Sequence, residues 1–292
     1  MRPRKFCIIG GTGSLGTELV RQLSVDKNNE ITVFSRCELK QQQMKVQFPS
    51  VRYILGDIRN FQTIREALIE QDTVFHVAAL KHIDKLQENP EESVYTNILG
   101  TINVANACID NWVSHCVFCS TDKACLAINT YGKSKGIAED ILFAKNVRQR
   151  TTKFSVFRWG NVAASRGSVI PIFINDLKLK REINITDTRM TRFWIHIEDA
   201  ATFMLEKYRQ ALPNNVAIPM MKAATVERVA ACIAEIMRVK EFKINYTGIR
   251  AGEKLHETIY SSHDHCVRSD TAEQFTDKEL KIFLEPIVRM YK

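Results

Sequence analysis

The sequence predicts an α/β fold: a parallel sheet with helices on both faces, followed by a smaller C-terminal lobe. Three observations carry that expectation. Short apolar segments alternate with longer amphipathic ones through the first half of the chain. Most of the apolar segments lack strict two-residue alternation, as strands covered on both faces do. A glycine-rich turn, Gly10-Gly-Thr-Gly-Ser-Leu-Gly16, follows the first of them and opens the first amphipathic segment.

Lys5 to Ile9 reads as the first strand and Leu15 to Ser24 as the first helix. Glu30 to Phe34 and Val51 to Leu55 are the next two strands, separated by a polar-faced helix from Glu38 to Gln47. A helix over Phe61 to Ile69 leads to the strand Thr73 to Val77. Pro90, suited to a first helical turn, begins a long helix through Asn97 to about Ile109. The strand His115 to Cys119, a helix from Tyr131 to Val147 and the strand Ser155 to Trp159 complete the alternation.

After Asn161 the rhythm breaks. Arg181 to Thr186 and Lys243 to Tyr246 resemble short strands, Ala223 to Met237 is helical, and Glu253 to Ile259 reads as a helical turn or short helix. The expected sheet domain is residues 1–165, with about 190–212 returning to it. Residues of about 166–189 and 213–275 make the smaller, substrate-binding lobe, and 276–292 a C-terminal tail.

Of the 292 residues, 45% are hydrophobic and 25% charged, which excludes disordered and collagen-like chains. The net charge of +8 admits nucleic-acid binding, but the basic clusters Arg2 to Lys5, Arg148 to Lys153 and Lys178 to Arg181 are short and far apart. Small anionic ligands are favoured, and no nucleic-acid partner is expected. No stretch approaches the ~20 apolar residues that span a bilayer, and the first apolar run ends in glycines instead of a cleavage site. No membrane partner is expected. Eight scattered cysteines read as free thiols in a reducing, cytoplasmic compartment. Cys116 and Cys119 form a CxxC inside a strand-like run with no second pair at zinc spacing, and His263-Asp264-His265-Cys266 reads as loop. No metal is expected.

A glycine turn between a first strand and a first helix is the context of a dinucleotide-binding, Rossmann-type fold: the glycines permit the tight turn and let a diphosphate approach the helix N-terminus. Gly16 would let helix and strand pack closely. At the end of the second strand, where a carboxylate would take the ribose hydroxyls of NAD, stand Ser35 and Arg36, with Lys40 one helical turn beyond. An arginine and a lysine on one face can hold a 2′-phosphate, so NADP is favoured over NAD. Glu38 as a ribose ligand keeps NAD as the alternative. Asp57 and Ile58 are placed to reach the adenine, and Ala78-Ala79 leaves room for a cofactor backbone.

Tyr131-Gly-Lys-Ser-Lys135 sets a phenol and an ammonium one helical turn apart. A nearby cation favours phenolate, bringing a reference pKa of about 10 closer to working pH. Such a tyrosine can take the proton of a substrate hydroxyl while hydride leaves the same carbon.

At these residues the chain resembles the extended short-chain dehydrogenase/reductase family. Within it, the chain is similar to the soluble UDP-N-acetylglucosamine 4,6-dehydratases that invert C5 and their capsule- and flagellin-sugar relatives. The strings that carry the resemblance include Gly10-Gly-Thr-Gly-Ser14, Phe34-Ser-Arg-Cys-Glu-Leu-Lys40, Ser120-Thr-Asp-Lys-Ala-Cys125 and Tyr131-Gly-Lys-Ser-Lys135. Arg158-Trp-Gly-Asn-Val162, Ser165-Arg-Gly-Ser-Val169, Ile185 to Trp194 and Ile249-Arg-Ala-Gly-Glu-Lys-Leu-His-Glu257 continue them, so the match runs from about Lys5 to about Ser262. Ala127 stands where the family usually has proline, which should loosen the loop before Tyr131.

The resemblance implies roles. Asp122 would protonate the leaving C6 hydroxyl and Lys123 remove the C5 proton, with Tyr131 and Lys135 serving the C4 oxidation. As neighbours on a loop, Asp122 and Lys123 would stand on different sides of the sugar, protonated and neutral respectively. Cofactor contacts would come from Gly10, Thr12, Gly13, Ser14, Leu15 and Gly16, from Ser35, Arg36, Lys40, Asp57 and Ile58, and from Ala78, Ala79, Lys81, Asn97, Ser120, Tyr131 and Lys135. UDP-N-acetylglucosamine would meet Lys81, Thr121, Asn161, Arg166, Ser168, Val169, Arg192, Arg250 and Glu253. An oligomer of even order is expected, paired through the Tyr131 and Asn97 helices with Ile137, Ile141 and Ala144 available to it. Two other readings remain: an NADP-linked nucleotide-sugar 4-epimerase or reductase, and a catalytically silent NADP-binding scaffold.

Overall fold

The computed structural model describes residues 3–212 and 214–291. Met1, Arg2, Pro213 and Lys292 lie outside the described residues, among them one end of the expected basic cluster and the expected start of the lobe's second segment. In chain order the first elements are β1 (Arg4–Ile9), α1 (Ser14–Leu23), β2 (Asn29–Ser35), α2 (Glu38–Gln47), β3 (Arg52–Leu55), α3 (Phe61–Ala67) and β4 (Thr73–His76). Then α4 (Ile83–Glu88), α5 (Pro90–Ser93), a π turn (Val94–Leu99) and α6 (Gly100–Asp110) lead to β5 (His115–Cys119). A short 3-10 turn (Asp122–Ala124) and α7 (Thr130–Arg148) precede β6 (Lys153–Phe157).

Next come β7 (Asn161–Val162), α8 (Val169–Lys178), β8 (Ile183–Ile185) and β9 (Thr191–Ile195), then α9 (Ile197–Lys207) and β10 (Val216–Ala217). The last elements are β11 (Lys222–Thr225), α10 (Val226–Met237), β12 (Ile244–Tyr246), β13 (Thr258–Ser261), β14 (Cys266–Arg268) and α11 (Asp277–Met290).

Two compact units result, Met1–Arg158 with Glu198–Pro219, and Trp159–Ile197 with Met220–Lys292. The first is built on a seven-stranded parallel sheet in the order β10-β6-β5-β4-β1-β2-β3. Apolar strands buried on both faces explain it: Ile8, Val33, Phe75, Val117 and Val156 are fully enclosed, and Val104, Ala105, Cys108, Ala138 and Leu142 cover one face from α6 and α7. The strand order reverses between β1 and β4, so the crevice at their C-terminal ends is a topological switch point.

The second unit has its own core, where Phe173, Ile174 and Leu177 of α8 meet Val229 and Ile233 of α10 and Leu284 and Ile287 of α11. Its sheets are small: β11-β9-β7, β12-β8 and β13-β14.

Four expectations need correction. The helix over 90–109 is interrupted by the π turn, which carries Asn97. Glu253 to Ile259 is not helical; Thr258 and Ile259 are buried in β13, paired antiparallel with β14. The return to the first unit begins at Glu198 and not near 190, because β9 pairs with β7 and β11 inside the second unit. The expected tail is instead the helix α11 over Asp277–Met290. Thr276 and Glu279 form a capping box, and Leu280, Leu284, Ile287 and Val288 bury one stripe of α11.

Candidate active site

The glycine turn fits a close-lying ligand for steric reasons. Gly10 has φ of +83°, and a Cβ there would stand 2.7 Å from the backbone of Ala78 across the switch point. A Cβ on Gly16 would lie 2.5 Å from Gly11 Cα, so helix α1 sits directly on the turn only because residue 16 is glycine. Gly13, the N-cap of α1, is exposed, and no side chain caps the helix. A helix N-terminus without a side-chain cap is the kind of place where a diphosphate can be held. Thr12 is buried in the turn, and Ser14 and Leu15 are half-buried at the start of α1.

The β2–β3 rim differs from expectation. Arg36 precedes α2, which begins at Glu38, so Arg36 and Lys40 do not share a helical face. Arg36 Nη1 instead lies 3.6 Å from Asp57 Oδ2, and Arg59 grips the same carboxylate at 2.8 and 3.0 Å. Burial pushes the Asp57 carboxyl up, but the hydrogen bonds from Arg59 outweigh it and hold the group below its ordinary value. Ile58 is buried with its side chain under Gly100, so only its backbone is available to a ligand. Gln41 organises this rim: its Nε2 donates to the Ser35 carbonyl at 3.1 Å, Ser35 Oγ at 3.0 Å and the Ile54 carbonyl at 2.8 Å.

Ala78, Ala79 and Lys81 follow β4 in a loop pinned by Asn97. Asn97 is buried, and its amide is bonded to Leu80 at both ends and to Ser134 of α7. The expected direct contact of Asn97 with cofactor is therefore replaced by a positioning role, because its polar atoms are turned into the protein.

Asp122, Lys123, Tyr131 and Lys135 converge at the end of β5. Asn129 caps α7, accepting the Gly132 N–H at 2.7 Å, and this cap anchors the loop that contains Ala127. A Cβ on Gly132 would meet the Lys123 carbonyl at 2.1 Å, so the glycine after Tyr131 is what allows α7 to rest on the Asp122 turn. Lys123 Nζ donates to Asp122 Oδ1 at 3.0 Å, and Asp122 is fully buried. Thr121 Oγ1 donates to the same Asp122 oxygen at 3.1 Å. Acid and base thus face each other, not opposite sides of a ligand as expected, because the 3-10 turn points both side chains the same way.

The expected lowering of the Tyr131 pKa does not occur. Burial, reinforced by Cys119 and Asp122, pushes the phenol well above its ordinary value, and only the Thr121 hydroxyl opposes this. Lys135 is buried too, with Nζ 3.7 Å from the Phe118 ring centroid. Burial pushes its ammonium down to about 8.

Ser120 Oγ donates to Glu139 rather than facing outward, and Arg158 binds the same carboxylate through Nε at 3.2 Å and Nη2 at 2.5 Å. This buried pair ties β5, α7 and β6 together just behind the Asp122 turn. Neither Glu139 nor Arg158 was expected to matter; the available signal was Glu139 standing four residues after Lys135 on the same helical face.

In the second unit, Arg192 is buried and donates to the carbonyls of Thr191 at 2.7 Å, Leu255 at 3.2 Å and Lys254 at 2.9 Å. The expected grip of Arg192 on a diphosphate is corrected accordingly: the guanidinium is turned inward and braces the segment carrying Arg250 and Glu253. Those two close a turn, Glu253 N–H donating to the Arg250 carbonyl at 3.1 Å, with Arg250 exposed. Ser168 precedes α8 with its hydroxyl buried and without a hydrogen-bond partner, and Val169 begins that helix. Asn161 lies in β7, and Arg166 is exposed. All eight cysteines are free thiols, and no cluster able to hold a metal exists among the described residues.

Comparison with known proteins adds three likenesses. Over 268 residues the chain is 42% identical to the inverting UDP-N-acetylglucosamine 4,6-dehydratase of Campylobacter jejuni subsp. jejuni serotype O:23/36 (strain 81-176), covering 89% of this chain and 78% of that one. Over 275 residues it is 40% identical to a UDP-glucose 4-epimerase of Rickettsia akari (strain Hartford), covering 91% and 80%. The X-ray structure of Pen from Bacillus thuringiensis superposes with a TM-score of 0.90 at 31% identity, covering 97% of each chain. The sequence model for polysaccharide biosynthesis proteins matches residues 6–279, from β1 into α11. The chain belongs to that polysaccharide biosynthesis protein family.

Proposed function

We propose that this chain is an NADP-dependent UDP-N-acetylglucosamine 4,6-dehydratase that inverts C5, a hydro-lyase yielding UDP-2-acetamido-2,6-dideoxy-β-L-arabino-hexos-4-ulose. The observation that carries the reading is the Lys123–Asp122 hydrogen bond of 3.0 Å beside Tyr131. A bound nicotinamide supplies hydride uptake from C4 and hydride return to C6. Everything else falls to side chains of the chain itself.

Tyr131 takes the C4 hydroxyl proton in its phenolate form, a state that the positive charge of an oxidised nicotinamide would favour against the burial that raises the phenol. With C4 a ketone, the C5 proton is acidic and the C6 hydroxyl can leave. Lys123 must then be an amine and Asp122 a carboxylic acid. Their hydrogen bond makes that state one proton shift away: moving the proton from Nζ to Oδ1 converts ammonium and carboxylate into amine and acid without exchange with solvent. Lys123 takes the C5 proton, Asp122 gives its proton to the departing hydroxyl, and water forms. The proton that Tyr131 took from the C4 hydroxyl then returns through water to C5 on the face opposite Lys123, which restores the phenolate and sets the inverted configuration.

Gly10, Gly13 and the N-terminus of α1 support a dinucleotide, and Arg36 with Lys40 supports its 2′-phosphate, since β2 ends in Ser35 and not in a carboxylate. Arg166, Ser168, Arg250 and Glu253 support a role for the second unit in holding UDP. Thiol cysteines support a reducing, cytoplasmic setting. Ile137, Tyr95 and Leu99, exposed on α7 and the π turn, support pairing of two copies through these helices.

NMR of the purified protein incubated with UDP-N-acetylglucosamine tests the reading. A 4-keto-6-deoxy product with inverted C5 is expected. A product changed only at C4 would overturn it in favour of a 4-epimerase, which leaves the Asp122–Lys123 pair without chemical work, and an unchanged substrate would favour a silent scaffold.

A further inference from the structure

We propose that the sheet edge at the start of β5, β6 and β10 is a docking surface for an anionic lipid bilayer. These strands are parallel neighbours, so the loops leading into them lie side by side. The loops are also bonded together. Lys153 N–H donates to the Ser114 carbonyl at 3.0 Å, Lys153 Nζ donates to the Arg209 carbonyl at 3.0 Å, and the His115 and Tyr208 rings meet edge-on at 5.5 Å.

Each loop presents an apolar side chain to solvent: Trp112 is 75% exposed, Val147 66% and Leu212 65%. The charge around them is mostly positive. Residues 110–115, 145–153 and 205–215 contain six cations (Lys145, Arg148, Arg150, Lys153, Lys207 and Arg209) against two carboxylates, Asp110 and Glu206. Asp110 sits 3.8 Å from Arg65. The excess is felt locally: after burial, Lys153 and Arg209 are what disfavour the charged form of His115.

Trp112 is the decisive residue. It closes α6, donating its N–H to the Ile109 carbonyl at 3.1 Å while Val113 donates to Cys108 at 2.9 Å. In this helix ending Trp112 occupies the left-handed position, with φ of +56°, where glycine or asparagine is the usual choice. Folding does not call for an exposed indole there. A displayed tryptophan ringed by lysine and arginine matches the interfacial region of a membrane, where the ring sits at headgroup depth and the cations meet anionic lipid.

The expectation of no membrane partner rested on the lack of a spanning segment. Among the described residues no helix is long and apolar enough to cross a bilayer, but surface binding needs none. The catalytic turn lies at the other end of β5, roughly 17 Å away along five residues of strand, so a docked chain keeps that end clear of the lipid.

Vesicle binding of the full chain tests this, using phosphatidylcholine with and without phosphatidylglycerol and reading flotation and tryptophan emission. Trp159 and Trp194 are 3% and 2% exposed, so a change in emission reports Trp112. A blue shift is expected only with phosphatidylglycerol, reversed by high salt. Arg148→Glu and Arg150→Glu should each weaken partitioning roughly 25-fold, about fivefold for each unit of charge changed. Trp112→Gly should keep the fold and the soluble activity while binding vesicles several-fold more weakly. No shift with anionic vesicles, or equal binding to neutral ones, overturns the proposal. So does tight binding of heparin that Trp112→Gly leaves intact, which marks a surface for soluble polyanions. Loss of an oligomer in Trp112→Gly, seen by light scattering, would overturn it in favour of an interface between copies.

Discussion

Asn97 holds Leu80 by both of its backbone groups: Oδ1 accepts the Leu80 N–H at 2.9 Å, and Nδ2 donates to the Leu80 carbonyl at 2.9 Å. The same Nδ2 reaches Ser134 Oγ at 3.0 Å on the helix that carries Tyr131. A single side chain therefore sets the loop after β4 against α7. The π turn provides the extra backbone that lets an interior helical residue present its amide this way.

Replacing Asn97 with Ala should cost about 1–3 kcal/mol, since two half-buried backbone groups of Leu80 lose their partner while Ser134 Oγ keeps its bond to the Tyr131 carbonyl. Denaturant unfolding measures this. Cofactor retention should fall with stability. A variant that melts like the wild type yet loses cofactor would show instead that Asn97 touches the cofactor directly.

Tyr131→Phe and Lys123→Ala should fail at different steps. The first removes the group that deprotonates the C4 hydroxyl, so no reduced nicotinamide should accumulate in a single turnover. The second leaves C4 oxidation intact, so reduced cofactor should build up while exchange of the C5 proton with deuterated solvent is lost. Each should lose roughly 10²–10⁴-fold in turnover, without adding in the double variant. Wild-type C5 exchange in Lys123→Ala would remove Lys123 from its role.

Lys135 makes stability depend on alkaline pH. Burial lowers its pKa from 10.5 to about 8, so the unfolded chain binds the proton more tightly. The cost of the buried ammonium is fully present below pH 8 and fades as pH rises towards 10.5. Lys135→Met should be inactive yet more stable than wild type at neutral pH by about 2 kcal/mol, less than the shift alone implies because the contact with Phe118 is lost. Denaturant melts at neutral and alkaline pH should show that gap closing. A variant less stable than wild type at neutral pH would contradict it.

Arg36→Ala should change cofactor choice without changing stability. Its exposed ion pair with Asp57 at 3.6 Å is worth little, well under about 1 kcal/mol. The ratio of NADP to NAD recovered from denatured protein by mass spectrometry should fall by about tenfold. Finding NAD alone in the wild type would make Glu38 the ribose ligand.

Trp112→Gly should stabilise the chain by about 0.5–1 kcal/mol, because a left-handed backbone costs a bulky residue more than it costs glycine. A thermal melt with a lower midpoint than wild type would mean that the indole makes contacts its exposure conceals.

Local chemistry was legible in the sequence. Glycines at 10, 13 and 16 reveal a tight turn because sterics act within a few residues, and the apolar runs reveal doubly covered strands because burial writes a period into the chain. The segment of α11 was read as a tail, although Leu280, Leu284, Ile287 and Val288 are spaced as a helical stripe behind a Thr-x-x-Glu cap. The tertiary structure alone decided which way the polar side chains point. Arg192 and Asn97 carry the right groups for ligand binding, yet Arg192 is bonded to backbone at 254 and 255 and Asn97 to Leu80 and Ser134. Arg36 was visible as a cation but not as the neighbour of Asp57, and Tyr131 as a phenol but not as one raised by burial. Propensity and periodicity are set by residues within a turn or two. A hydrogen-bond partner or a desolvated environment is supplied by whichever distant segments the completed fold brings to the same place.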